Sequence, residues 1–316
     1  MSASGKFFAI GKPQWQVACN LGVNSATSFL VLALGSGRDH STTSWSAKAI
    51  ETRAGMGWRR ARESIDKLIE GKILVSNGQA SRPRYKIAVP SAEELIWLPN
   101  ELVIGAGNEV PPVARLKQVR DIELLRMFIA LYGEQDLPGD GGLPRSLIRD
   151  EYEREQIATH GQFVFWGFRF KTGNAWNNGP FDTKKIPRGE LWPKVRALQD
   201  LGLLTTAIYL AESADADADL LHAISGDQAA VAAYDAGWSA IYGKEGYAPH
   251  KSESFEYVAP VLAHLKNVAL VGVYRLHYRP KTARTSAWYA QHVEQCRRFE
   301  ELYRNIFGAA GALKCA

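Results

Sequence analysis

Residues 44–89 constrain this chain more than any other stretch, because two helix-length segments, a glycine turn and a hairpin follow one another without interruption. Ser44 to Ala54 predicts a first helix, and Gly55-Met56-Gly57 a tight turn. Trp58 to Lys72 predicts a second helix. Its apolar positions Ala61, Ile65, Leu68 and Ile69 repeat at three and four residues and mark one buried face. Arg59, Arg60 and Arg62 lie off that face near the N-terminal end, and Lys67 follows further along. Trp58 has two readings: its spacing of three from Ala61 places it in the core, and its position beside the arginines places it at a contact surface. Residues 73–75 and 85–89 read as short strands. The turn between them, 76–83, contains Asn77-Gly78, a dipeptide suited to hairpins. A helix that buries one side and offers arginines at its N-terminal end suits the major groove of DNA.

This order of elements resembles the winged helix-turn-helix DNA-binding superfamily. The most telling part is the join Leu68-Ile69-Glu70-Gly71-Lys72-Ile73-Leu74 into the hairpin. A helix over residues 24–35, with Asn24 as cap and Gly35 as terminator, fits the first helix of such a bundle. Similar segments occur in bacterial regulators and in replication proteins of plasmids and phages. The resemblance implies double-stranded DNA as partner. Trp58, Arg59, Arg60, Arg62 and Lys67 would lie on the recognition helix, and Lys48, Arg53, Arg82, Arg84 and Lys86 would contact the backbone or form the wing.

The rest of the chain reads as a helix-rich α+β protein. The division expected is a DNA-binding domain at 1–104, a linker at 105–118, a second domain at 119–225 and a C-terminal α/β extension at 226–316. Phe7, Phe8, Ile10 and Trp15 are placed beneath the first bundle. Residues 93–104 predict a short strand or helix. Gly105, Gly107, Pro111 and Pro112 carry the linker assignment. Helices are predicted over 119–132 and from Arg145 to about His160, and a strand over 163–171. Residues 190–204 repeat the end of the first motif, with Val195, Leu198 and Leu201 as a buried stripe, and a strand is predicted over 205–210. This is a weaker second likeness to the same superfamily, near 119–210, against the alternative of an α+β packing domain that looks winged only locally. A candidate second contact set follows: Lys184, Lys185, Arg188, Lys194 and Arg196, joined by Arg279, Lys281 and Arg284 of a basic loop near the C-terminus. A strand over 268–279, bulged at Gly272, and an amphipathic helix over 286–307 complete the reading. The apolar side of that helix includes Val293.

Charge is uneven along the chain. Residues 1–120 hold 16 Lys+Arg against 9 Asp+Glu, residues 121–259 hold 13 against 21, and residues 260–316 hold 9 against 3. The basic ends are where a polyanion is expected, and the acidic middle should face away from it. No apolar run approaches the roughly 18 residues of a bilayer span. Cys19, Cys296 and Cys315 are odd in number and widely spaced, which suits a reducing cytoplasm and no disulfide framework.

Motifs for chemistry are weak. The aspartates at 215, 217 and 219 fail calcium-loop spacing, since the sixth and twelfth positions from Asp215 are Leu220 and Gly226. Asp150, Glu151, Glu153 and Glu155 crowd one predicted helix and read as a solvated face. Arg275, His277, Arg279, Arg284 and Tyr289 invite comparison with tyrosine recombinases, but the family's His-x-x-Arg box is absent. The expectation is a non-enzymatic DNA-binding protein with no cofactor and no metal. It would act as a transcriptional regulator, with a replication initiator or a non-catalytic subunit of a larger nucleoprotein complex as alternatives. A homodimer or other protein partners are compatible with each.

Overall fold

The computed structural model describes residues 7–37, 39–77, 84–88, 94–137, 141–160, 163–175, 188–224 and 255–279, and part of 283–301. The chain divides into two units, 1–135 with 177–204 and 276–282, and 136–176 with 205–275 and 283–316.

The first unit is built around its most apolar helix. β1 (Phe7–Gly11) and α1 (Lys12–Asn20) lead into α2 (Val23–Leu34), which buries every residue from Ser25 to Leu34. A helix apolar on all sides must be covered on all sides. Around it pack α1, β1, α3 (Ala47–Ala54), α4 (Trp58–Glu70), α5 (Glu101–Ile104) and α6 (Pro112–Val119). β2 (Thr42–Thr43), β3 (Leu74–Ser76) and β4 (Tyr85–Ile87) form a three-stranded antiparallel sheet in the order β2-β4-β3. Alternation fixes its faces: Tyr85, Ile87 and Leu74 are buried, whereas Lys86 and Val75 point outward. β5 (Leu95–Pro99) pairs antiparallel with β1, Ile10 facing Ile96. Phe8, Ile10 and Trp15 are therefore core residues, as part of a sheet and of α1.

Residues 105–118 are no linker. Gly105 ends α5 at φ 77 in a turn so tight that a Cβ would come within 2.5 Å of the Glu109 carbonyl oxygen. Pro112 opens α6 at a position where its missing N–H costs nothing. Val113, Ala114 and Leu116 are buried. The glycine and proline read as linker punctuation are caps of two packed helices. α7 (Ile122–Gly133) and α8 (Arg188–Asp200) belong to this same unit. The Asp121 carboxylate caps α7, accepting from the Glu123 and Leu124 N–H groups at 2.9 and 3.0 Å. Its other oxygen receives the Lys194 ammonium of α8 at 2.5 Å. The expected domain at 119–225 is thus split, its helices lying in one unit and most of its strands in the other.

The second unit is a six-stranded sheet in the order β10-β7-β6-β11-β8-β9. Its strands are β6 (Ile148–His160), β7 (Phe163–Ala175), β8 (Leu204–Ala211), β9 (Leu220–Ala223), β10 (Tyr257–Leu262) and β11 (Ala269–Leu276). The helix predicted from Arg145 to His160 is strand β6. Glu, Arg and Gln favour helix in isolation. The aromatic alternation of β7 overrides them by pairing β6 antiparallel along its length, with Arg154 opposite Phe168 and Gln156 opposite Trp166. Phe165, Phe168, Ile208, Leu210, Phe255, Val261 and Leu270 share one core. The four acidic residues expected on one helix are accordingly spread along a strand. Asp150 is buried and accepts the Tyr274 hydroxyl at 2.8 Å, Glu151 pairs with Arg149 at 2.7 Å, Glu155 pairs with Arg169 at 3.3 Å, and Glu153 is exposed. β11 runs through Gly272, where a Cβ would meet Asp150 and Thr206 at 2.8 Å. The aspartate repeat at 214–219 lies in bends and turns between β8 and β9. The described positions between 283 and 301 are helical, but Val293 is 59% exposed. It shares its face with Ala290 and Arg297, which are also exposed.

No helix among the described residues is long and apolar enough to cross a membrane.

Candidate nucleic-acid interface

The arginine-bearing helix α4 is held by the turn before it. Gly55 closes α3 in the left-handed region, at φ 57 and ψ 35. Met56 is then driven into the core, 1% exposed, with its sulfur 4.0 Å from the Ser28 hydroxyl of α2 and 3.9 Å from the Ser64 hydroxyl of α4. Gly57 opens α4 without a side-chain cap of its own. The Trp58 N–H instead interacts with the Glu51 carboxylate on α3, which also receives the Lys48 ammonium at 2.6 Å. The hydrogen bond from Lys48, helped by its charge and the Trp58 N–H, holds the Glu51 carboxyl below its usual range against the opposing effect of desolvation. Two contacts thus set the entry angle of α4, one buried and one at the surface.

From this anchor α4 buries Ala61, Ser64, Ile65 and Leu68, with Ile69 half-buried. Trp58, Arg59, Arg60, Arg62 and Lys67 are all exposed. Trp58 is 56% exposed, which settles its two readings against the core. Side chains lean toward the N-terminus of their helix, so a residue at the first helical position overhangs the turn and finds no earlier helical turn to pack on. Gly57, Trp58, Arg59, Arg60 and Glu63 line one open depression. Arg59 pairs with Glu63 at 3.1 Å and Arg62 with Asp66 at 3.4 Å, both on the helix surface. Such exposed pairs contribute only ~0.3–0.5 kcal/mol and exchange readily for another anion. Arg60 makes no ion pair among the described residues.

The flanking basic residues differ in availability. Lys48 is exposed but paired with Glu51. The Arg53 guanidinium lies 4.3 Å from the centre of the Trp45 ring, half-buried. Trp45 in turn sits so close to Gly35 that a Cβ there would come within 2.4 Å of the indole. Arg84 and Lys86 are exposed at and beside β4. Arg82 lies outside the described residues, as do Lys184, Lys185, Lys281 and Arg284. Arg188 opens α8, its side chain outside the description. Arg196 is exposed and Arg279 half-buried. Lys194 drops out of the contact set: its side chain is 12% exposed and locked to Asp121. Of the second set, Arg196 and Arg279 are the described members that keep access to solvent outside an ion pair with Asp121.

Two basic residues absent from the sequence-based list join the first set. Lys117 of α6 donates to the carbonyls of Ala54 and Gly55 at 3.3 and 2.9 Å, clamping the turn between α3 and α4. Burial first, then the nearby charges of Arg60 and Arg120, pull the Lys117 pKa below that of an ordinary lysine. Arg120 is exposed at the end of α6. Lys117 was missed because 105–118 read as a linker, and Arg120 because it read as the start of the next helix, which the structure begins only at Ile122.

Arg275 of the recombinase-like cluster is 7% exposed, with its guanidinium donating to the Tyr209 hydroxyl, whereas His277 is exposed. Among the described residues no group of His, Cys, Asp or Glu is placed to hold a metal ion. Compared with protein-family models, curated proteins and solved structures, the chain matches none.

Proposed function

We propose that this chain is a double-stranded DNA-binding protein of the winged-helix type, with α4 entering the major groove and the β3–β4 hairpin lying along the backbone. The observation that carries the reading is the outward face of α4. Trp58, Arg59, Arg60 and Arg62 all project from a helix whose opposite face is buried, and whose entry is fixed by Met56. The β2-β4-β3 sheet beside it presents Lys86 outward. Arginine forks match guanine edges and phosphates, and Trp58 offers an apolar surface to a thymine methyl or a sugar.

The mode of action proposed is steric: occupation of a site on DNA that blocks or recruits other proteins, as in transcriptional control.

The test replaces Arg59, Arg60 and Arg62 with alanine in the full chain and measures duplex binding at moderate salt, using a site selected from a random library. The expected loss is about 1–3 kcal/mol for each base-reading contact. Parent binding should also weaken steeply with salt as counterions are released. A triple variant that binds as the parent does would sink the assignment of α4.

A further inference from the structure

We propose that Arg120, at the C-terminal end of α6, clamps a backbone phosphate of the duplex beside the groove that α4 enters. The inference rests on the DNA-binding reading above and adds to it a contact from outside the helix-turn-helix and its hairpin.

Placement comes first. Lys117 is fixed to the α3–α4 turn by its bonds to the Ala54 and Gly55 carbonyls, so the end of α6 is tied to the start of α4. Arg120 follows three residues later, close enough that its charge and that of Arg60 both act on Lys117. Three cations from two separated segments are therefore gathered beside the helix-turn-helix turn.

Those cations lack an internal counter-charge. Arg60, Lys117 and Arg120 make no ion pair among the described residues. The adjacent carboxylate, Asp121, is committed to the N–H groups of Glu123 and Leu124 and to Lys194. Like charges held together in this way repel, and a phosphate between them relieves the repulsion.

The backbone gives a second, independent pointer. Arg120 sits at φ 61, ψ 17, the left-handed conformation in which helices usually end on glycine. A branched-chain-free but bulky L-residue is strained there, and its guanidinium makes no hydrogen bond or ion pair within the described protein that would compensate. A phosphate bound by the guanidinium would offset that strain.

The experiment compares the full chain with Arg120→Gly, Arg120→Lys and the double variant Arg59→Ala/Arg60→Ala. Binding to a fluorescein-labelled duplex of mixed sequence is followed by anisotropy across a salt series. Arg120→Gly should bind several-fold more weakly and lower the slope of log K against log salt by about one. Its thermal midpoint should be equal or higher, because glycine accepts the left-handed backbone. Arg120→Lys should keep the parent slope. If Arg120→Gly binds with parent affinity and slope while Arg59→Ala/Arg60→Ala is weakened, the clamp is overturned and the DNA-binding reading stands. If the parent itself shows no salt-dependent duplex binding, both fall together.

Discussion

Asp121 shows how much one side chain can hold. Its carboxylate caps α7 through two backbone N–H groups and pairs with Lys194 of α8, whose ammonium has little access to water. Burial alone would raise the Asp121 pKa, but the Lys194 hydrogen bond and the N–H groups of Leu124 and Glu123 outweigh it, and the net shift is downward. A carboxyl whose folded pKa lies below its unfolded one adds stability above the unfolded value, about 4, and loses it as pH falls through the folded value. Asp121→Ala should therefore cost about 1–2 kcal/mol at neutral pH in urea unfolding, as a lost cap. Asp121→Asn should recover part of that loss, since asparagine also caps, while losing the acid-dependent component below about pH 4. Equal stability of the two variants at neutral pH would show that the cap contributes nothing.

At the scale of elements, the turn between α3 and α4 is the decisive piece. Gly55 occupies the left-handed region with open space where a Cβ would go. Gly55→Ala should therefore destabilise through backbone strain alone, by about 1 kcal/mol, read as a lower urea midpoint with unchanged slope. Gly55→Asn should lose less, because asparagine tolerates that conformation. The helices and the two hairpin strands of residues 44–89 were legible because each buries one periodic face and is bounded by glycine or a capping serine. Ser46 caps α3, so that helix begins at Ala47, later than the Ser44 the sequence suggested. β6 was illegible for the opposite reason. Its charged residues carry helix propensity, and its partner β7 supplies the apolar alternation.

For the whole molecule, the order of the chain is a poor guide to its units. Residues 177–204 and 276–282 return to the unit that contains α4. Arg115 of α6 binds the Leu201 carbonyl at 2.7 Å and the Tyr278 hydroxyl at 3.2 Å, and that hydroxyl donates to Glu109 at 2.6 Å. A fragment cut after Ile104, the boundary drawn from sequence, should consequently fail to fold. It uncovers the surfaces of α2, α3, α5 and β5 against which α6 and α7 pack. Circular dichroism should show no cooperative thermal transition for it. A sigmoidal melt would mean that the first 104 residues form a domain after all.

The sequence by itself determined the local pieces: an apolar α2, a glycine-hinged pair of helices, an arginine-rich face on α4, and an excess of positive charge over residues 1–120. These follow from periodicity, capping and composition, which act over a few residues. Tertiary structure alone decided the rest. It turned a proline- and glycine-marked stretch into α6 and so brought Lys117 and Arg120 beside Arg60. It left Trp58 in the open and withdrew Lys194 into an ion pair. Each outcome depends on which distant surface a side chain meets, and strand pairing, burial and charge pairing between distant segments leave no period in the sequence.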